Sequence, residues 1–222
     1  MKKFIVIIST FAASILLLSS FGGGESVQTS NSKVYSSSNE VTIGTQVWMS
    51  KNLDVAKFRN GDPIPEAKTD EEWEKAGKNK QPAWCYYKND TANGAKYGKL
   101  YNWYAVIDPR GLAPTGYHIP SDAEWTTLEN FLGVDVGKKM KSTNGWIDQG
   151  NGTNSSGFNG LPGGFRATNG TFNYIGSTGY WWSSTEYYTV NAWYRGLYYS
   201  SGSVDSYYGS KLSGLSVRCL RD

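Results

Sequence analysis

Ala113-Pro114-Thr115-Gly116-Tyr117-His118-Ile119-Pro120-Ser121-Asp122-Ala123-Glu124-Trp125 is the stretch from which the rest of the chain can be placed. Ser121, followed three residues later by Glu124, is a capping box: each side chain accepts from a backbone N–H that the helix start leaves without a partner. Trp125, Leu128, Phe131 and Leu132 then recur at helical spacing, and Gly133 stands where that helix should stop. A second box, Thr69 with Glu72, opens a short helix that carries Trp73 and ends near Gly77. Helix dipole and caps account for the acidic residues of both first turns, Asp70, Glu71, Glu72, Asp122 and Glu124.

Away from these two helices the pattern is one of short strands and long loops. Val41 to Met49 alternates around Gly44, as an opening hairpin does. The Gly- and Asn-rich run from Gly145 to Gly170 reads as an irregular excursion, with strands resuming near Tyr180. Asn191 to Tyr199 and Val204 to Tyr208 flank Ser200-Ser201-Gly202-Ser203, a hairpin turn. Leu215, Val217 and Cys219 alternate with Ser216, Arg218 and Leu220, the pattern of a closing strand with one buried face. No repeat or linker divides this region, so residues 40–222 are expected to form one α+β domain.

The composition narrows the chemistry. Beyond Gly24 the aromatic residues number 30, against 27 for Ile, Leu and Val together, and the chain holds 26 Gly. Such a chain builds a loop-rich domain with aromatic packing rather than a helix bundle. One histidine, His118, and two cysteines exclude a multi-His metal centre, a two-histidine relay and a Cys₄ zinc site within one chain. No cofactor and no metal are expected.

Residues 1–24 read as an export signal: Met1-Lys2-Lys3, an apolar run from Phe4 to Leu18, and a small-residue exit through Gly24. Leu16-Leu17-Leu18-Ser19-Ser20-Phe21-Gly22 resembles a lipoprotein signal in which Phe21 replaces the lipidated cysteine, so a lipid anchor is not expected there. Residues 25–39 read as a flexible polar linker. The protein is thus expected outside the cytoplasm, touching a membrane only through an uncleaved signal. Without Lys2 and Lys3 the charge falls from +3 to +1, which argues against nucleic acid as a partner. In an exported protein Cys85 and Cys219, both in apolar surroundings, favour a disulfide closing a loop of about 134 residues. Two unpaired buried thiols are the alternative.

Five segments together resemble the bacterial family called the Fibrobacter succinogenes major paralogous domain. They are Val47–Leu53, Tyr97–Ala105, Ala113–Trp125, Leu161–Arg166, and Trp181–Ser184 with Leu215–Cys219, in family order over residues 41–222. The resemblance implies a C-type-lectin-like α+β fold related to the formylglycine-generating, sulfatase-modifying factors: two helices, small twisted antiparallel sheets, neighbouring termini and long loops. Those relatives bind copper through two cysteines close together near the C-terminus. Only Cys219 lies in that half here, so their site is not carried over. The Glu-Pro-Asn, Gln-Pro-Asp and Trp-Asn-Asp signatures of calcium-dependent lectins of this fold are also missing.

Function is then sought among the aromatics crowded between Phe172 and Tyr208. In the strand from Asn191, Trp193, Arg195, Leu197 and Tyr199 share one face, while Ala192 and Gly196 let the other pack closely. Trp193, Arg195 and Tyr199, with Tyr187 and Tyr188, are accordingly the candidate ligand-binding residues. His118 is expected to be a hydrogen-bonded structural residue. The expectation is an exported, non-catalytic binding module for a glycan or a protein. The alternatives are an enzyme related to sulfatase-modifying factors and a structural surface protein without a discrete ligand. A pocket joining His118 to carboxylates would favour the enzyme, and an exposed Trp/Tyr platform would favour binding.

Overall fold

The structure, a computed structural model, describes residues 39–222; the export-signal reading of 1–24 and the linker reading of 25–39 lie outside the described residues, apart from Asn39. Along the chain come β1 (Glu40–Ile43), β2 (Gln46–Met49), α1 (Asp70–Lys78), β3 (Trp84–Cys85), α2 (Thr91–Tyr97), β4 (Leu100–Tyr101), α3 (Trp103–Val106) and β5 (Tyr117–His118). They are followed by α4 (Asp122–Leu132), α5 (Val136–Met140), β6 (Phe165–Arg166), β7 (Phe172–Asn173), β8 (Thr178–Tyr188), β9 (Asn191–Tyr198), β10 (Asp205–Ser210) and β11 (Leu220–Arg221). The fold is α+β, with four antiparallel sheets among the described residues, ordered β1-β2-β11-β5, β10-β9-β8, β3-β4 and β6-β7.

Both capping boxes form. Glu72 N donates to Thr69 Oγ1 (3.1 Å) and Thr69 N to Glu72 Oε2 (3.1 Å); Ser121 N donates to Glu124 Oε2 (2.8 Å). Gly133 ends α4 at φ +64°, in the left-handed region that a side chain resists. The helix buries Trp125 and Leu128 in a cluster with Trp48, Phe158 and Trp181. Phe131 departs from the expected stripe: it is 64% exposed and its ring lies over the β1–β2 turn, where a Cβ on Gly44 would come within 2.9 Å. Among the described residues the expected pair of helices becomes five α-helices, because α2, α3 and α5 are short and carry no apolar stripe long enough to read.

The segment preceding β11 corrects the closing-strand reading. Residues 214–220 are buried on both faces, and only Leu220–Arg221 joins a ladder. Backbone bonds run from Leu53 N to Val217 O (2.8 Å), Met49 N to Cys219 O (3.0 Å) and Trp182 N to Ser216 O (3.1 Å), so the segment threads between two sheets. Its polar residues are buried with partners: Arg218 donates to Asn52 Oδ1 (2.7 Å), Met49 O (3.0 Å) and Phe158 O. Alternation marked the apolar side correctly but not the second covered face.

The disulfide expectation is also corrected: Cys85 and Cys219 are free, buried thiols. They occupy different clusters, Cys85 with Trp73, Ala83 and Leu100, Cys219 with Met49, Leu53 and Val217. Burial pushes each thiol up to about 12, against the smaller opposing pull of Arg166 on Cys85 and of Arg218 and Arg59 on Cys219. At neutral pH neither sulfur is a nucleophile.

Candidate functional site

Sheet β10-β9-β8 places its aromatic residues in two zones. Trp181, Trp182, Ala192 and Leu197 are fully buried, Trp181 and Leu197 in the cluster with α4 and Trp182 and Ala192 in the cluster with the threading segment. Toward the Asn191 end of β9 the ladder pairs Tyr208 with Trp193 and Tyr207 with Tyr194, while β8 makes two register shifts between Trp182 and Tyr188. There Tyr187 stacks on Tyr208 with centroids 4.0 Å apart and planes at 17°, and Tyr207 continues the column at 4.9 Å. Trp193 stands edge-on to Tyr187 (4.8 Å) and Tyr208 (6.1 Å), and Tyr188 edge-on to Tyr187 (4.4 Å). Five rings thus form one group whose outer members, Tyr188 and Tyr207, are 64% and 56% exposed. Their mutual edge and face contacts, on a three-stranded ladder, fix the rings without burying them.

Of the five candidate residues, the structure brings together Tyr187, Tyr188 and Trp193. Tyr199 lies just past β9, at the opposite end of the strand from Asn191, with its backbone against Gly150. Arg195 is not a surface residue, and that expectation is corrected. It is 1% exposed, and its guanidinium reaches Asp122 Oδ1 (2.5 Å), Thr126 Oγ1 (3.2 Å) and Glu129 Oε1, a stripe along α4. The face shared by Arg195 and Leu197 is covered by α4, which strand alternation cannot reveal. Tyr207 and Tyr208 were missed as site members. Strand parity was the available signal: a hairpin centred on Ser200–Ser203 pairs Trp193 with Ser210, two residues from the true partner but on the same face as Tyr208.

A second polar centre sits at the far end of sheet β1-β2-β11-β5. His118 Nδ1 lies 2.8 Å from Asp222 Oδ1, and Nε2 lies 2.9 Å from Glu124 Oε1. Burial opposes protonation of His118, but the hydrogen bonds to Asp222 and Glu124 and their charges outweigh it, raising the imidazole above its ordinary 6.5. Glu124 moves the other way: burial pushes it up, but the Ser121 N–H and hydroxyl, then His118, pull its carboxyl below the ordinary range. A general base needs a free ring nitrogen facing substrate. Both nitrogens of His118 are committed to carboxylates, so in this arrangement the centre holds a proton rather than delivering one.

Among curated proteins and among solved structures no similar chain was found. Residues 41–221 match the family described as the Fibrobacter succinogenes major domain, a span that holds the aromatic group, His118 and Glu124. The family description carries no activity with it. With its segments in family order and matched across nearly every described residue, the chain belongs to the Fibrobacter succinogenes major domain family.

Proposed function

We propose that the protein is an exported, non-catalytic binding module of C-type-lectin-like fold that recognises a glycan or another protein at or outside the bacterial cell surface. One observation carries this reading: Tyr187, Tyr188, Trp193, Tyr207 and Tyr208 form a pre-ordered aromatic group with exposed outer rings on a paired sheet. Aromatic side chains offer large contact area at little conformational cost, and those held in place before binding cost still less. His118 with Glu124 and Asp222 in one cleft is the arrangement named above as favouring an enzyme. Against it, both ring nitrogens are engaged by those carboxylates and the thiols are inert, which supports a non-catalytic role. The sequence resemblance and the small antiparallel sheets beside long loops support the C-type-lectin-like assignment.

The test is a binding screen of residues 40–222 against glycans and secreted proteins, with and without calcium, in parallel with Trp193→Ala and Tyr188→Ala. A ligand whose affinity falls about tenfold or more in either variant supports the reading, since an aromatic anchor contributes over about 1 kcal/mol. No ligand in either screen, or one indifferent to both substitutions, overturns it.

A further inference from the structure

His118 joins three parts of the fold: β5, to which it belongs, the first turn of α4 through Glu124, and the residue after β11, Asp222. A neutral imidazole has one N–H and one lone pair, so it attracts only one of two flanking carboxylates. Both contacts are favourable together only in the imidazolium. The other polar groups around the ring are engaged elsewhere. Glu124 Oε2 accepts from Ser121 N and Oγ, each at 2.8 Å. Arg221 pairs with Glu40 at 3.0 Å, and Arg59 donates to Ala113 O and Tyr117 O. Gln46 Nε2 donates to Glu124 O at 3.0 Å, tying the start of β2 to the same helix.

Two clefts flank this junction. One, of about 310 Å³, runs between Thr45–Val47 and Leu220–Asp222; the other, of about 430 Å³, runs between Arg59, Val106, Leu112 and Ser184. His118 and Glu124 line both.

We infer that His118 is a proton-operated latch beside these clefts: as imidazolium it ties the end of β11 to α4, and as imidazole it releases one carboxylate and loosens that tie. The device is independent of the aromatic group and goes beyond the binding role proposed for it.

The experiment uses the full chain. Because His118 is the sole histidine, its ring titration can be followed by NMR without assignment, and hydrogen exchange of residues 44–48 and 217–222 can be compared between pH about 6 and about 8.5, corrected for intrinsic rates. The expected result is a titration above 6.5 and a corrected exchange rate that rises about two- to five-fold with pH, the scale of one partly exposed ion pair. In His118→Gln that rise disappears. Asp222→Asn, at a residue whose side chain is 56% exposed, covers the event that His118→Gln misfolds, and it too should flatten the rise. A ring that titrates at or below 6.5, or wild-type exchange with the same pH dependence as either folded variant, overturns the latch.

Discussion

Replacing Arg195 with methionine separates two roles that its sequence position alone left open. Were the side chain part of a recognition surface, its loss would weaken ligand binding and leave folding untouched. The structure requires the reverse. The guanidinium holds α4 against β9 through Asp122, Thr126 and Glu129, and methionine fills the space without donating a hydrogen bond. Removing one partner of a fully buried ion pair costs about 3–5 kcal/mol. Here the Asp122 and Glu129 side chains keep 32% and 22% of their surface exposed, so water recovers part of their solvation and about 2–3 kcal/mol is the expected loss. For a domain of this size that lowers Tm by roughly 4–12 °C.

Urea unfolding at neutral pH, read by tryptophan fluorescence, measures the loss. A cycle with Glu129→Gln should return a coupling above about 1 kcal/mol, because the two groups act through one contact. The coupling should persist in high salt, since screening acts weakly on a pair whose cation is buried. A loss below about 0.5 kcal/mol, within the range of ordinary surface substitutions, would refute the clamp and return Arg195 to the ligand candidates.

Two further outcomes follow from the buried groups. Mass spectrometry without reductant should find Cys85 and Cys219 as two thiols, alkylated only after unfolding, since burial holds each near 12; a protein lighter by two hydrogens would contradict the separate clusters. Lys141→Met should cost about 2–3 kcal/mol in the same urea assay, because its ammonium donates to Tyr198 O (3.0 Å) and Ser201 O (2.8 Å) and those carbonyls would lose it. A neutral result would mean that water reaches them.

What could be read from the residues was whatever rests on near neighbours in the chain. Thr69 with Glu72, Ser121 with Glu124, the turn at Gly44 and the hairpin of β9 with β10 each declare themselves within a few positions. Asp90 caps α2 in the same way, donated to by Ala92 N at 2.8 Å, but the Ala-Asn-Gly-Ala that follows has no apolar face to reveal a helix. Distant relationships stayed hidden. Cys85 and Cys219 were correctly read as buried, yet burial says nothing about which cluster encloses each. Arg195 was placed on the correct face of β9, yet nothing in the strand says that α4 covers it. The aromatic group was half legible: Tyr187, Tyr188 and Trp193 were singled out, while Tyr207 and Tyr208 needed the cross-strand register.

The aromatic excess and the buried cations prove to be two sides of one construction. Long loops leave backbone carbonyls that no ladder satisfies, and buried carbonyls without donors are costly. Lysine and arginine supply several donors from one atom group. Arg166 donates to Ala67 O (2.7 Å), Thr69 O (2.9 Å) and Gly170 O (2.8 Å), and Lys211 to Thr189 O (2.8 Å). A cation taken from water needs compensation as well, and ring faces provide some of it. Arg166 lies 4.9 Å from the Trp73 centroid and 4.7 Å from Phe172; Arg218 lies 4.3 Å from Phe158; Lys99 lies 4.3 Å from Trp84; Lys211 lies 4.6 Å from Trp103. An aliphatic core could not do this, because a leucine side chain has no quadrupole to offer a guanidinium. A chain with few Ile, Leu and Val residues can therefore satisfy irregular buried backbone through cations whose charge is compensated by the same rings that fill its core.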